Sequence, residues 1–208
     1  MKKNIIFDQD GTLVDIEPVF IRIVNTLGPE FGFAPILPEE VPALKKLHLL
    51  TLVWKRLGLR IFLFPFILKR GREEYHKLIP EIELFPGIKA LIDTLQSRGY
   101  SVGIVSSSRK YTIVAIMEKF GIQMDFIYQC GLFDKSKTLL QAIKENNLRP
   151  SETIYIGDEV RDVESCQKID LDVIAVTWGL NSKEALQKTG ARTVDSREAL
   201  LQKLLALE

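Results

Sequence analysis

Short apolar runs rich in β-branched residues recur along the chain, at residues 4–7, 101–105, 125–128, 153–156 and 172–176. Each is bounded by polar or turn residues and lacks clean alternation, as expected of strands covered on both faces. Helical patterns lie between them. Residues 87–98 place Ile88, Leu91, Ile92 and Leu95 on one stripe before Gly99, and residues 110–120 do the same with Ile113, Ile116, Met117 and Phe120 before Gly121. Leu139, Leu140 and Ile143 mark a third helix, and residues 196–207 a terminal one with Ser196 as its N-cap. Strands alternating with helices of this length predict an α/β fold: a doubly wound, Rossmann-like layer around a parallel sheet.

One stretch breaks the alternation. Between residues 16 and 83 no strand-like punctuation occurs, and Leu47, Leu50, Val53, Trp54 and Leu57 follow helical spacing. The chain therefore divides into a core, residues 1–15 and 84–208, and an inserted helical cap, residues 16–83, with Phe85-Pro86-Gly87 turning back into the core. Residues 61–68 are apolar all round but far short of the ~20 needed for a membrane span. They are expected to form a buried helix of the cap, with a lipid or partner contact as the alternative.

Composition narrows the class. Across 208 residues, 46% hydrophobic and 26% charged is the balance of an ordinary globular chain, which excludes disorder, collagen-like repeats and coiled coil as the main organisation. With 28 Lys and Arg against 27 Asp and Glu, no global field draws the chain to nucleic acid or membrane. The charge is unevenly placed, however: residues 43–77 carry nine basic and two acidic residues, net +7, leaving −6 for the rest. Cys130 and Cys166 are too few for a disulfide framework and lack metal-ligand spacing, pointing to a reduced, cytoplasmic setting. The apolar run after Lys2 and Lys3 stops at Asp8, too short for a signal-peptide core.

The chemistry-bearing residues gather at predicted strand ends. Asp8-Gln9-Asp10-Gly11-Thr12 follows the first strand and directs two carboxylates to the edge where open α/β sheets bind ligands, although Asp-x-Asp-Gly is also ordinary turn chemistry. Gly157-Asp158 ends a later strand, and Asp162 falls four residues on, facing the same side if a helix begins there; alternatively Asp158 is simply that helix's N-cap. Carboxylates gathered from two strand tips are costly without a cation, and an oxygen-only donor set favours Mg²⁺ over zinc. Ser106, Ser107 and Ser108, running into a helix start, make a candidate oxyanion or phosphate cradle. Lys135 or Lys137, near another helix start, could neutralise a phosphate.

Taken in order, Asp-x-Asp-Gly-Thr, a serine at a strand end, a lysine, and Gly-Asp-x-x-x-Asp resemble the haloacid dehalogenase-like hydrolase superfamily, in its phosphoglycolate phosphatase-like branch. The resemblance implies Asp8 as the nucleophile that forms an aspartyl-phosphate and Asp10 as the general acid and base. It implies Mg²⁺ held by Asp8, the Asp10 carbonyl and Asp158, and phosphate held by Ser106, the Ser107 backbone and a lysine. The 23-residue spacing to Asp158 favours Lys135 over Lys137. Asp162 would orient Lys135 or a metal-bound water, and Thr12 would fix the turn. The function so implied is a Mg²⁺-dependent phosphomonoesterase acting on a small phosphate ester, with no nucleic-acid partner and no membrane span. A phosphomutase using the same aspartates and a non-catalytic Mg²⁺-binding module are the alternatives. The oligomeric state, monomer or dimer, is left open.

Overall fold

The structure, a computed structural model, describes residues 3–58 and 60–207. The side chains of Leu50 and Ile61 fall outside those described, and with them the place of Leu50 on the predicted stripe and of Ile61 in the apolar run.

The first strand, β1 (Asn4–Phe7), is buried on both sides, so its successive side chains enter two different cores. Ile5 and Phe7 pack in one hydrophobic cluster and Ile6 in another. Each such side chain, taken fully out of water, contributes about 1.5–3 kcal/mol. This is why the run is uniformly apolar rather than alternating. β1 pairs in parallel with β4 (Ser101–Ser106) on one side and β6 (Thr153–Gly157) on the other. Beyond them lie β5 (Phe126–Gln129), β7 (Asp172–Val176) and β8 (Arg192–Val194). The sheet order is β5-β4-β1-β6-β7-β8, all parallel, so the connections reverse direction at β1. Helices α5 (Ile88–Ser97), α6 (Lys110–Lys119) and α10 (Arg197–Leu205) bury their apolar stripes with Ile5 and Phe7. Helix α7 (Ser136–Glu145) covers the Ile6 side, and α8 (Val160–Gln167) contributes Cys166 there.

The predicted strands and helices occur within one or two residues of expectation, and the Ser196 hydroxyl caps α10 by accepting from Ala199 N at 3.1 Å. In α7, Leu139 and Ile143 are buried but Leu140 faces solvent. Three short elements had no pattern to read: β8, the five-residue α9 (Lys183–Gln187), and the ribbon of β2 (Val14–Asp15) with β3 (Glu83–Leu84). Glu83, expected in a strandless stretch, is thus part of a strand. Two residues give no periodicity, and only antiparallel pairing across the base of the insertion defines them.

Between β2 and β3 the main regular elements of the described residues are helices joined by loops and short turns: α1 (Glu17–Phe31), α2 (Val41–Leu44), α3 (Leu49–Thr51) continuing as a π-turn over Leu52–Arg56, and α4 (Phe64–Lys77). Val24, Leu27, Phe33, Ile36 and Leu57 form their own cluster. The expectation that residues 61–68 are buried does not hold. Phe62 and Phe66 are 64% and 63% exposed, and no residue of α4 is fully buried. A helix lying across the outside of a small layer can turn only one side inward, whatever its composition. Phe64, on the inward side, lies between Trp54 and Phe133 with ring centroids 5.3 and 5.6 Å away.

Candidate active site

Open parallel sheets bind ligands beyond the carboxyl ends of strands where the connections reverse, here β1, β4 and β6. The loop after β1 is a tight one: Gln9 O accepts from Thr12, Leu13 and Val14 N, and Gly11 N donates to Val14 O. Gly11 has φ +82°, and any Cβ there would collide with the Asp158 carboxylate. The same carboxylate presses on Gly179 from the β7–α9 connection, where a Cβ is equally excluded. Two glycines therefore let three loops close on one aspartate.

Asp8 is buried and accepts from Gln9 N at 2.7 Å through Oδ1. Lys135 Nζ donates to Asp8 Oδ2, lies 2.8 Å from Asp162 Oδ1 and donates to Tyr155 Oη at 2.9 Å. Lys137, one position into α7, is exposed on the surface. The geometry thus brings Lys135, the lysine that the spacing to Asp158 favours, against Asp8 and leaves Lys137 outside. Burial works against the Lys135 charge, and Asp162 and then Asp8 more than offset it, holding the ammonium above the ordinary lysine range.

Asp158 Oδ1 accepts from Thr12 Oγ1 at 2.7 Å and Oδ2 from Leu180 N at 2.8 Å. It is not the helix cap: Glu159 occupies that position, and Asp162, in the first turn of α8, accepts from Asp158 N and Glu159 N at 3.1 and 3.0 Å. Burial first, then Glu159, Asp162 and Asp8, push the Asp158 carboxyl well above the usual carboxylate range. Oxygens of Asp8, Asp158 and Asp162 all lie within 4.8 Å of one another. Three buried carboxylates with one lysine among them leave uncompensated negative charge, and the donors are all oxygen, with no His or Cys in the group. Those two observations fit a hard divalent cation such as Mg²⁺. Asp162 Oδ2 accepts from the two N–H groups, whereas its Oδ1, 2.8 Å from Lys135 Nζ, accepts no hydrogen bond among the described residues, so all three carboxylates are candidate ligands for such an ion.

Ser106 is buried at the end of β4, and Ser107 Oγ accepts from Arg161 at 3.4 Å. Asp10 keeps an edge on solvent, yet burial raises its carboxyl, with Asp8 adding to the effect. Ser108 Oγ, at 2.5 Å, and the Tyr75 hydroxyl donate to its two oxygens and oppose that rise. Sequence reasoning missed four contributors here. Gln9, given no role by the motif, donates to Asp10 Oδ1 at 3.1 Å. Ser108 stood undistinguished in a run of three serines. Tyr75 comes from the insertion, with nothing in the sequence to tie it to Asp10, 65 positions away. Arg161 is held by Glu159 at 2.5 Å and by Leu132 O, a contact visible only once the loops meet.

A cavity of about 310 Å³ opens between this face and the insertion, reached from Asp10, Ser107 and Ser108 and otherwise lined mainly by aliphatic and aromatic side chains. The two sides touch around its rim: Tyr75 on Asp10, Phe64 on Phe133, His76 edge-on to Tyr111, and Asn181 donating to Lys45 O and Leu47 O at 3.0 Å. Both cysteines are buried, and burial holds their thiols up, Cys130 at about 11. No described helix is long and apolar enough to cross a membrane.

Comparison with known proteins agrees with this arrangement. The family model described as haloacid dehalogenase-like hydrolase matches residues 5–176. A phosphoglycolate phosphatase of Synechococcus elongatus is 35% identical over 185 residues, 88% of this chain and 87% of that protein. An N-acetylmuramic acid 6-phosphate phosphatase of Pseudomonas aeruginosa is 26% identical over 189 residues, 85% and 82% of the two chains. The crystal structure of a predicted phosphatase from Clostridium acetobutylicum shares the fold, with a TM-score of 0.86, 24% identity and 99% of each chain covered. The chain belongs to the haloacid dehalogenase-like hydrolase family, in its phosphoglycolate phosphatase-like branch, and is a phosphatase.

Proposed function

We propose that the chain is a Mg²⁺-dependent phosphomonoesterase that hydrolyses a small phosphate ester through an aspartyl-phosphate on Asp8. The observation that carries this reading is the buried Asp8, Asp158 and Asp162 cluster with Lys135 inside it, at the carboxyl ends of β1 and β6. Phosphoglycolate, the substrate in the name of the Synechococcus relative, is the first ester to try.

In the first half-reaction an Asp8 carboxylate oxygen attacks phosphorus, the bond from phosphorus to the alcohol oxygen breaks, and Asp10 gives that oxygen its proton. In the second, Asp10 takes a proton from water, the resulting hydroxide attacks phosphorus, and the phosphorus bond to Asp8 breaks. The raised Asp10 carboxyl supports a group able to hold a proton before the first step. Ser106 Oγ, Ser107 N and Lys135 Nζ would take the phosphate oxygens, and Asp162 holds Lys135 toward Asp8. Mg²⁺ held by Asp8, Asp158 and the Asp10 carbonyl would supply Lewis-acid charge stabilisation at phosphorus. Thr12 keeps Asp158 in place.

The test is a panel of phosphate esters with Mg²⁺ and after exhaustive chelation. Release of inorganic phosphate that disappears on chelation and returns with Mg²⁺ is expected. Full activity in the chelated protein, or isomerised product without free phosphate, overturns the reading.

A further inference from the structure

Helix α4 has a satisfied inner side and an unsatisfied outer one. Phe64, Ile67, Leu68, Gly71 and Tyr75, spaced three and four apart, line the cavity over the core. Phe66 stands two positions on from Phe64, which in a helix turns it to roughly the opposite side. Phe62 belongs to the tight turn leading into α4, closed by Leu63 N donating to Arg60 O at 2.9 Å. Phe62 and Phe66 are the two most exposed of the described large apolar side chains, and Pro65 between them is exposed as well. Neighbouring aromatic rings left in water mark a contact surface.

The charge around these rings says what kind of surface they meet. Residues 41–72 contain eight Lys and Arg and no Asp or Glu. Arg56 and Arg70 are answered by glutamates outside that stretch, Glu40 at 2.7 Å and Glu73 at 2.8 Å. Lys55, Arg60 and Lys69 are exposed and pair with no carboxylate among the described residues. Arg60 comes two residues before Phe62, and Lys69 lies three after Phe66, close to one turn on along the same side of α4. Unanswered cations therefore bracket the rings. With −6 on the rest of the chain, an anionic surface attracts the insertion and repels the core, which orients the approach. A second copy of this chain suits the face poorly, because pairing it with itself gathers like charges.

We propose that the outer side of α4 and the turn before it dock on an anionic lipid surface, with Phe62 and Phe66 entering at headgroup level and Arg60 and Lys69 against the lipid phosphates. Two rings are a shallow apolar anchor and a few cations a screened attraction; together they give the reversible binding that neither supplies alone. The cavity lies on the other side of α4, so the docked face and the ester's site are separate. This goes beyond the phosphomonoesterase reading and does not depend on it.

The experiment is co-sedimentation of the whole chain with vesicles of phosphatidylcholine alone and of phosphatidylcholine with an equal part of phosphatidylglycerol. At about 0.1 M salt the partition coefficient is expected to be about tenfold or more higher on the anionic vesicles, and to fall by about fivefold or more at about 0.5 M as screening tightens. Phe62→Ala with Phe66→Ala should lower it by about tenfold at unchanged net charge. Arg60→Gln with Lys69→Gln should lower it by about fivefold for each charge removed. Lys144→Gln removes an exposed charge of α7, in the core, and should bind as the wild type does. All five positions are exposed, and circular dichroism with a thermal midpoint confirms that each variant is folded. Equal partition on neutral and anionic vesicles, or none on either, overturns the inference and leaves the face to a protein partner. Anionic binding that survives in either double variant overturns it as well, because the attraction then comes from charge elsewhere on the chain. A dimer in light scattering that the two phenylalanine substitutions dissociate overturns it in favour of a second copy.

Discussion

Asp8 and Asp10 stand two residues apart and meet opposite demands. Asp8 lies against the Lys135 ammonium, two opposite charges in contact in a buried setting. Asp10 is pushed up by burial while two hydroxyls hold both its oxygens, a setting that suits a proton carrier. Asp8→Asn is expected to lower turnover by about three orders of magnitude or more while leaving the circular dichroism spectrum unchanged, because the amide keeps the shape and loses the nucleophile. Retention of a tenth of the activity would remove Asp8 from that role. Asp10→Asn should instead separate the half-reactions. With p-nitrophenyl phosphate, whose leaving group needs no proton, rapid mixing should show a burst of nitrophenolate followed by slow turnover; with an alkyl ester both steps should be slow. Equal losses for both esters and no burst would argue against proton transfer through Asp10. The pair of carboxylates was legible in the sequence because the motif is contiguous. The difference between them was not, since it comes from Lys135, Ser108 and Tyr75, which are far away along the chain.

At the scale of an element, the start of α7 shows how local chemistry places a distant group. Asp134 Oδ1 accepts from Ser136 N at 2.9 Å, and that backbone bond foremost holds its carboxyl down to about 2. The turn so fixed aims Lys135 inward while Lys137 points out. A carboxyl depressed in the folded state contributes stability above its unfolded value of about 4, and loses it as pH falls through the folded value. Asp134→Ala should therefore be less stable than wild type at pH 6, by an amount of the order of an exposed helix cap, about 1 kcal/mol. The gap should narrow as the pH is taken from 5 toward 2. Chemical denaturation of both proteins across that range checks it; a gap independent of pH would show that the charge contributes nothing. α4 teaches the converse. The apolar composition of residues 61–68 predicted burial, but the stretch lies on the outside and leaves Phe62, just before the helix, and Phe66, within it, in solvent. Composition states what a helix can bury, and only its neighbours decide which side has something to bury against.

For the whole molecule, the gathered carboxylates are a stability statement as well as a catalytic one. A carboxyl raised by folding, as Asp158 is, costs stability once the pH passes its unfolded value near 4, and a divalent cation bound beside it would remove that cost. Mg²⁺ at about a hundred times its dissociation constant should add roughly 2.7 kcal/mol, raising Tm by roughly 5–10 °C for a chain of this size. The increase should be larger at pH 8 than at pH 5 and nearly absent in Asp158→Ala. An equal shift in that variant would place the ion elsewhere. The parallel sheet and its strand-end acids could be read from the sequence because both are local: apolar runs long enough to show a period, each ending in its own polar turn. The cluster itself, the contact of Lys135 with Asp8 and Asp162, and the hold of Tyr75 on Asp10 were decided only by the tertiary structure. Each depends on loops from different strands, or on the insertion closing over the core, and no spacing along one chain encodes a distance across that seam.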